Sequence, residues 1–175
     1  MAGNGKVGQR WSLMWAARFV AKWEGFLGTA YLDEIASPPI WTIGYGHTGG
    51  VSSGQTISES EARKLLAGDL RDAARTVERE VKVPLTVRQR IALISITFNC
   101  GPGVLANTHL ITDLNARRYK EAADRFLEWD HAGGVVVEGL TNRREAERWM
   151  FLHDGRKARA VPVVPRAKLK TGAPR

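Results

Sequence analysis

The sequence predicts an α+β fold: a small antiparallel sheet beside a mainly helical body. Three observations predict it. Apolar residues recur at helical spacing over several long stretches, whereas Tyr31 to Val51 alternates as strands do and is punctuated by glycine. Two S/T-x-x-E/Q boxes, Ser58–Glu61 and Thr86–Gln89, mark helix starts. A small antiparallel sheet beside a mostly helical chain indicates the α+β class.

Residues 1–9 are small and polar and read as a flexible N-terminus. From Trp11 to Glu24 the residues Trp11, Met14 or Trp15, Phe19 and Trp23 form a helical apolar stripe, and Gly25 supplies a stop. Glu24 then sits in the last turn, where the helix dipole disfavours negative charge. That setting suits a group that must carry a proton to act as a general acid. On spacing alone, an ordinary exposed glutamate at a helix end is the stronger reading.

Asp33 follows Glu24 by nine residues, and Thr42 follows Asp33 by nine more. Tyr31-Leu32 and Ile40-Trp41-Thr42-Ile43 read as strands, with a rigid loop at Ala36-Ser37-Pro38-Pro39 between them. Two acids and a hydroxyl that could hold a water are the parts needed to hydrolyse a glycosidic bond. The Gly44-Tyr45-Gly46 run lacks the Gly-Lys-Ser/Thr ending and the following helix of a phosphate loop.

The Ser58 box opens a helix to about Val81, with Ala62, Leu65, Leu66, Leu70, Ala73 and Val77 on one stripe. Its length of roughly 33 Å can join two lobes. The helix after Thr86 is apolar on most sides, as a central buried helix must be. Asn99 at its end is either a cap or a ligand contact, and Cys100 reads as a buried, inert thiol. Short helices are expected over 104–115 and 119–130, then a loop at His131–Gly134 and an apolar run at Val135–Val137. A last amphipathic helix runs from Leu140 to Leu152. The Asn142-Arg143-Arg144 run near its start reads, by itself, as solvated surface.

The chain of 175 residues carries a net charge of +8, unevenly placed. Seven basic residues and no acid follow Asp154, so the first 155 residues stand at +1. Residues 10–153 form one domain, and the basic stretch 154–175, without periodicity, reads as a disordered tail. A near-neutral body without a basic recognition helix argues against nucleic acid as a partner. One cysteine excludes an intrachain disulfide, and the four histidines show no zinc spacing. The stretch Trp11–Ala21 is interrupted by Arg18 and followed by Lys22, so neither a signal peptide nor a transmembrane segment is expected.

Taken in order, E-G, A-Y-x-D, W-T-I-G-Y-G-H-T, I-S-x-x-E-A-x-x-L-L, V-P-L-T-x-x-Q, F-N-x-G and G-L-x-N-R-R-x-A-E resemble the phage-type lysozymes, the endolysin muramidases. The resemblance runs from about Trp15 to His153. It implies a two-lobed lysozyme-like fold joined by the long helix. It also implies hydrolysis of the bond between N-acetylmuramic acid and N-acetylglucosamine in bacterial peptidoglycan. Glu24 matches the general acid. Asp33 matches the second carboxylate, which with Thr42 holds the attacking water, with inversion at the anomeric carbon. Asn99 matches a position lining the saccharide cleft, and Arg143 an arginine that approaches the acid. His47 and Asp69 match a structural ion pair between sheet and long helix. Two carboxylates and water suffice, so no metal or cofactor is expected.

In a phage context, the missing signal implies accumulation in the host cytoplasm and release to the wall by a separate pore-forming protein; a monomer is expected. The tail is expected to attract anionic wall polymers or lipid headgroups. Two rivals are a non-catalytic peptidoglycan-binding module and a nucleic-acid binder drawn by the tail. One departure stands out: Glu34 to Trp41 is about three residues longer than the family's short turn, which bears on how Thr42 meets Asp33.

Overall fold

The computed structural model describes residues 3–34, 36 and 38–153, with side chains from Ser12 onward. The basic tail lies outside the described residues, as do Met1, Ala2, and Ile35 and Ser37 of the lengthened loop.

Helix α1 runs from Gly3 to Glu24. It takes in most of the stretch whose composition suggested fraying, because adding a residue to a formed helix is far easier than nucleating one. Its buried stripe is Ser12, Ala16 and Val20, not the aromatic stripe expected. Small residues let α1 approach its neighbours closely. Met14 and Trp15 stay exposed, and the Arg18 guanidinium lies 5.0 Å from the Trp15 ring centroid. Gly25 ends the helix at φ +69, a backbone angle that favours glycine.

Strands β1 (Leu27–Asp33) and β2 (Ile40–Gly44) pair antiparallel, with Tyr31 opposite Thr42 and Asp33 opposite Ile40. An irregularity between Leu27 and Tyr31 shifts the register. Isolated bridges tie Thr29 to Thr56 and Ile43 to His47, extending this small lobe.

Helix α2 (Glu59–Glu80) leaves the sheet lobe through the capping box read from the sequence: Glu61 N–H donates to Ser58 Oγ, and Ser58 N–H to Glu61. Of its expected apolar stripe, Ala62, Leu66, Leu70, Ala73 and Val77 are buried and Leu65 is half-buried. Helix α3 (Val87–Cys100) starts in the Thr86–Gln89 box and packs against α1 and α2. Residues Ile91 to Thr97 are all buried, so α3 is the expected central helix. Each Leu or Ile so buried contributes roughly 1.5–3 kcal/mol against exposure.

The expected helix over 104–115 is divided. A 3-10 turn covers Pro102–Leu105, and α4 runs only from His109 to Asn115. Between them Asn107 adopts φ +57, and Thr108 caps α4 by accepting from Ile111 N–H. The expected helix over 119–130 is also divided, into α5 (Tyr119–Asp124) and a 3-10 turn Arg125–Trp129. Val135-Val136 is strand β4 of a hairpin with β3 (His131–Ala132), turned by Gly133 and Gly134 at φ +57 and +80. Helix α6 (Glu138–Leu152) starts two residues before the expected position. It packs on α3 and on the turn carrying Phe126, whose ring lies 5.5 Å from that of Phe151. Among the described residues no helix is long and apolar enough to cross a membrane.

Candidate active site

A cleft of about 690 Å³ opens between the sheet lobe and the helical lobe. Glu24, Asp33, Thr42, His47, Asp69 and Asn99 line it, so six of the seven residues singled out from sequence meet there. The seventh, Arg143, reaches Glu24 from beneath.

Each side chain is placed by a local cause. Glu24 ends α1 because Gly25 stops the helix there. Asp33 ends β1, where Ala36 N–H donates to its Oδ1 over 3.4 Å. Strand alternation puts Tyr31 and Asp33 on one face. Thr42 lies directly across from Tyr31 and is only 4% exposed, although it lines the cleft. Its Oγ1–H donates to Ile40 C=O at 3.3 Å, so the oxygen's lone pairs remain to accept from a water. Glycine at 46, with φ +88, leaves the wall beside the acid open; a Cβ there would stand 3.5 Å from Glu24 Oε2.

Glu24 Oε1 receives Arg143 Nη1 at 2.5 Å, while Arg143 Nε lies 3.2 Å from Glu147 Oε1. Burial works against the charge of Arg143, but Glu24 and Glu147 more than offset it, and the guanidinium pKa is raised. Burial likewise pushes the Glu147 carboxyl up, against the pull of Arg144 and Arg143. The N-R-R run is therefore not solvated surface: Arg143 and Arg144 are both buried.

Asn99 does not cap α3, whose C-cap is Gly101. Its Oδ1 accepts from Arg144 Nη2 at 2.8 Å. Cys100 is half-buried, not fully buried, and the buried Arg144 Nη1 approaches its Sγ to 2.9 Å. Burial raises the thiol's pKa. His47 Nδ1 lies 2.9 Å from Asp69 Oδ2, and Nε2 lies 2.9 Å from Gly49 C=O, tying the turn after β2 to α2.

Sequence reasoning missed three features of this site. Tyr31 lines the cleft, and its phenol pKa is raised by burial and by the charges of Asp33 and Glu24; the period of two from Asp33 was the available signal. Thr97 also lines it, with a buried Oγ1 that has no partner among the described residues. Glu147 was missed because its spacing from Arg143 and Arg144 looks like that of a surface ion pair. Among the described residues no three His, Cys, Asp or Glu side chains converge as a metal site would require.

Known proteins are similar to this chain in sequence and architecture. The family described as phage lysozyme matches residues 21–147. The endolysin of Bacillus phage B103 is 40% identical over 134 residues, covering 76% of this chain and 51% of that protein. The chain thus spans about half the length of that relative. The endolysin of Salmonella phage P22 is 39% identical over 134 residues, covering 74% of this chain and 89% of that one. A crystal structure of a P22 lysozyme mutant superposes with a TM-score of 0.68 at 36% identity, covering 79% of this chain and 95% of that chain.

Proposed function

The chain belongs to the phage lysozyme family, and from that premise we propose that it hydrolyses the β-1,4 bond between N-acetylmuramic acid and N-acetylglucosamine in bacterial peptidoglycan. The observation that carries the reading is the meeting of Glu24, Asp33 and Thr42 in one open cleft, with Glu24 held by Arg143.

Glu24 gives its proton to the glycosidic oxygen as the bond to the muramic C1 breaks. Arg143 fixes Oε1 and leaves Oε2 beside Gly46 for the substrate. The guanidinium is also the counter-ion of the carboxylate formed by that transfer, so it needs no reorganisation during the step. Positive charge develops on the sugar ring, and Asp33 offsets it. A water held between Asp33 and Thr42 Oγ1 attacks C1 from the opposite face and passes a proton to Asp33. This sequence inverts the anomeric centre, and the acceptor lone pairs of Thr42 support it. Asn99 binds the saccharide, and the His47–Asp69 pair holds the sheet lobe against α2.

As an endolysin the protein reaches the wall after a separate pore-forming protein opens the membrane. The basic tail draws it to anionic wall polymers, an attraction screened by salt over about 10 Å. The test is turbidity loss of purified peptidoglycan. Wild type clears the suspension and Asp33→Asn does not; a wild type that leaves it turbid overturns the reading.

A further inference from the structure

Behind the cleft lies a charge cluster of which the reaction as described uses only Arg143. Arg144 and Glu147 are both 0% exposed, and Arg143 is 3% exposed. Glu147 Oε1 is the centre. It receives Ser95 Oγ at 2.6 Å, Arg143 Nε at 3.2 Å and Arg144 Nη2 at 3.3 Å. Its Oε2 lies 3.0 Å from Arg144 Nε, an ion-pair contact without hydrogen-bond alignment. With Glu24 ionised, two guanidinium and two carboxylate groups balance.

Each arginine carries this centre outward to the cleft. The planar Arg143 fork, anchored through Nε on Glu147, aims Nη1 at Glu24. Arg144, anchored on the same carboxylate, aims Nη2 at Asn99 Oδ1. A guanidinium can only donate, so it fixes which end of the Asn99 amide faces inward and leaves the Nδ2 donor for the cleft.

We propose that Glu147 is a positioning residue for the muramidase reaction, a single buried carboxylate that sets both the general acid, through Arg143, and the saccharide-binding amide of Asn99, through Arg144. The proposal rests on the muramidase reading above. Its electrostatic consequence follows from the groups around each carboxylate. Glu24 faces Arg143 from α6 and Tyr31 and Asp33 from β1, with exposed Lys22 on its own helix. Glu147 faces Ser95 and Cys100 from α3 and the two arginines of its own helix. Neutralising Glu147 leaves two buried guanidinium charges with Glu24 as their one remaining carboxylate. The site then holds more uncompensated positive charge, which moves the pH dependence of the step to lower pH.

The test is the pH–rate profile of peptidoglycan cleavage by wild type, Glu147→Gln and Glu147→Asp, each checked for folding by circular dichroism and melting. We expect Glu147→Gln to lower kcat about tenfold or more. Its alkaline limb moves down by roughly one pH unit. KM rises as the Asn99 amide is freed, and Glu147→Asp restores the limb to its wild-type position. A folded Glu147→Gln with wild-type kcat and limb, on an active wild-type background, overturns the proposal alone. An inactive wild type overturns it together with the muramidase reading. If Glu147→Gln does not fold, Ser95→Ala decides. It removes the hydrogen bond that Oγ donates to Glu147 Oε1 and the longer one, 3.4 Å, that it accepts from Arg143 Nη2, but no charge, so kcat falls with the limb unmoved, and an unchanged kcat overturns the proposal.

Discussion

Arg143 Nη1 meets Glu24 Oε1 at 2.5 Å across 119 residues of chain. One partner ends the first helix and the other lies in the second turn of the last. The contact closes the fold at the point where the chemistry is proposed to occur. Arg143 is almost wholly buried and Glu24 only partly so, which places the acid at the boundary between a dry charge cluster and an open cleft.

Arg143→Met tests how much of the fold depends on that cluster. The substitution keeps much of the side chain's length but strips Glu147 of one buried counter-charge. Removing one partner of a buried ion pair costs about 3–5 kcal/mol. Urea denaturation should show a loss of that order, and a loss under about 1 kcal/mol contradicts the burial described.

Thr42→Val keeps the shape of the side chain and removes the hydroxyl. The water between Asp33 and position 42 then loses an acceptor, and cleavage should slow by roughly 10²-fold with little change in melting temperature. The same reading fixes the stereochemistry. Proton NMR during cleavage of a defined glycan should show the α-anomer of the new reducing end first. A first-formed β-anomer contradicts the inverting step.

Asp113 accepts from Arg118 and Arg125, and those hydrogen bonds hold its carboxyl below the ordinary value of 3.8. A lowered folded pKa favours the fold above the unfolded value, and the contribution is lost as pH falls through the folded one. Asp113→Asn should therefore lower the melting temperature near neutrality and make little difference in strong acid. Equal losses at both pH values contradict the assignment.

Much of this was legible in the sequence because it is local. The boxes at Ser58 and Thr86 involve residues three apart, and both are formed as read. The break at Asn107 was less legible, since Thr108-His109-Leu110 looks like helix interior until Asn107 is seen at φ +57. The hairpin around Gly133 and Gly134 was not read either: its two-residue strands, one of them inside the stretch taken as loop, are too short to show a period of two. The positions of Glu24, Asp33 and Thr42 were legible through the order of short motifs, each weak alone. Burial of Arg143, Arg144 and Glu147 was not. Asn-Arg-Arg-Glu-Ala-Glu-Arg has the charge pattern of a solvated helix, and only the tertiary placement of α6 against Ser95 and Asn99 of α3 takes it out of water.

The central claim is that Glu24 supplies the proton that breaks a glycosidic bond of peptidoglycan. The direct measurement is reducing-end release from purified peptidoglycan by wild type and Glu24→Gln, with the soluble fragments identified by mass. Wild type should release fragments ending in reducing N-acetylmuramic acid. Glu24→Gln should fall by roughly 10²-fold or more while melting within a few degrees of wild type. Wild-type rates from a folded Glu24→Gln, or fragments cut at a different bond, contradict the account.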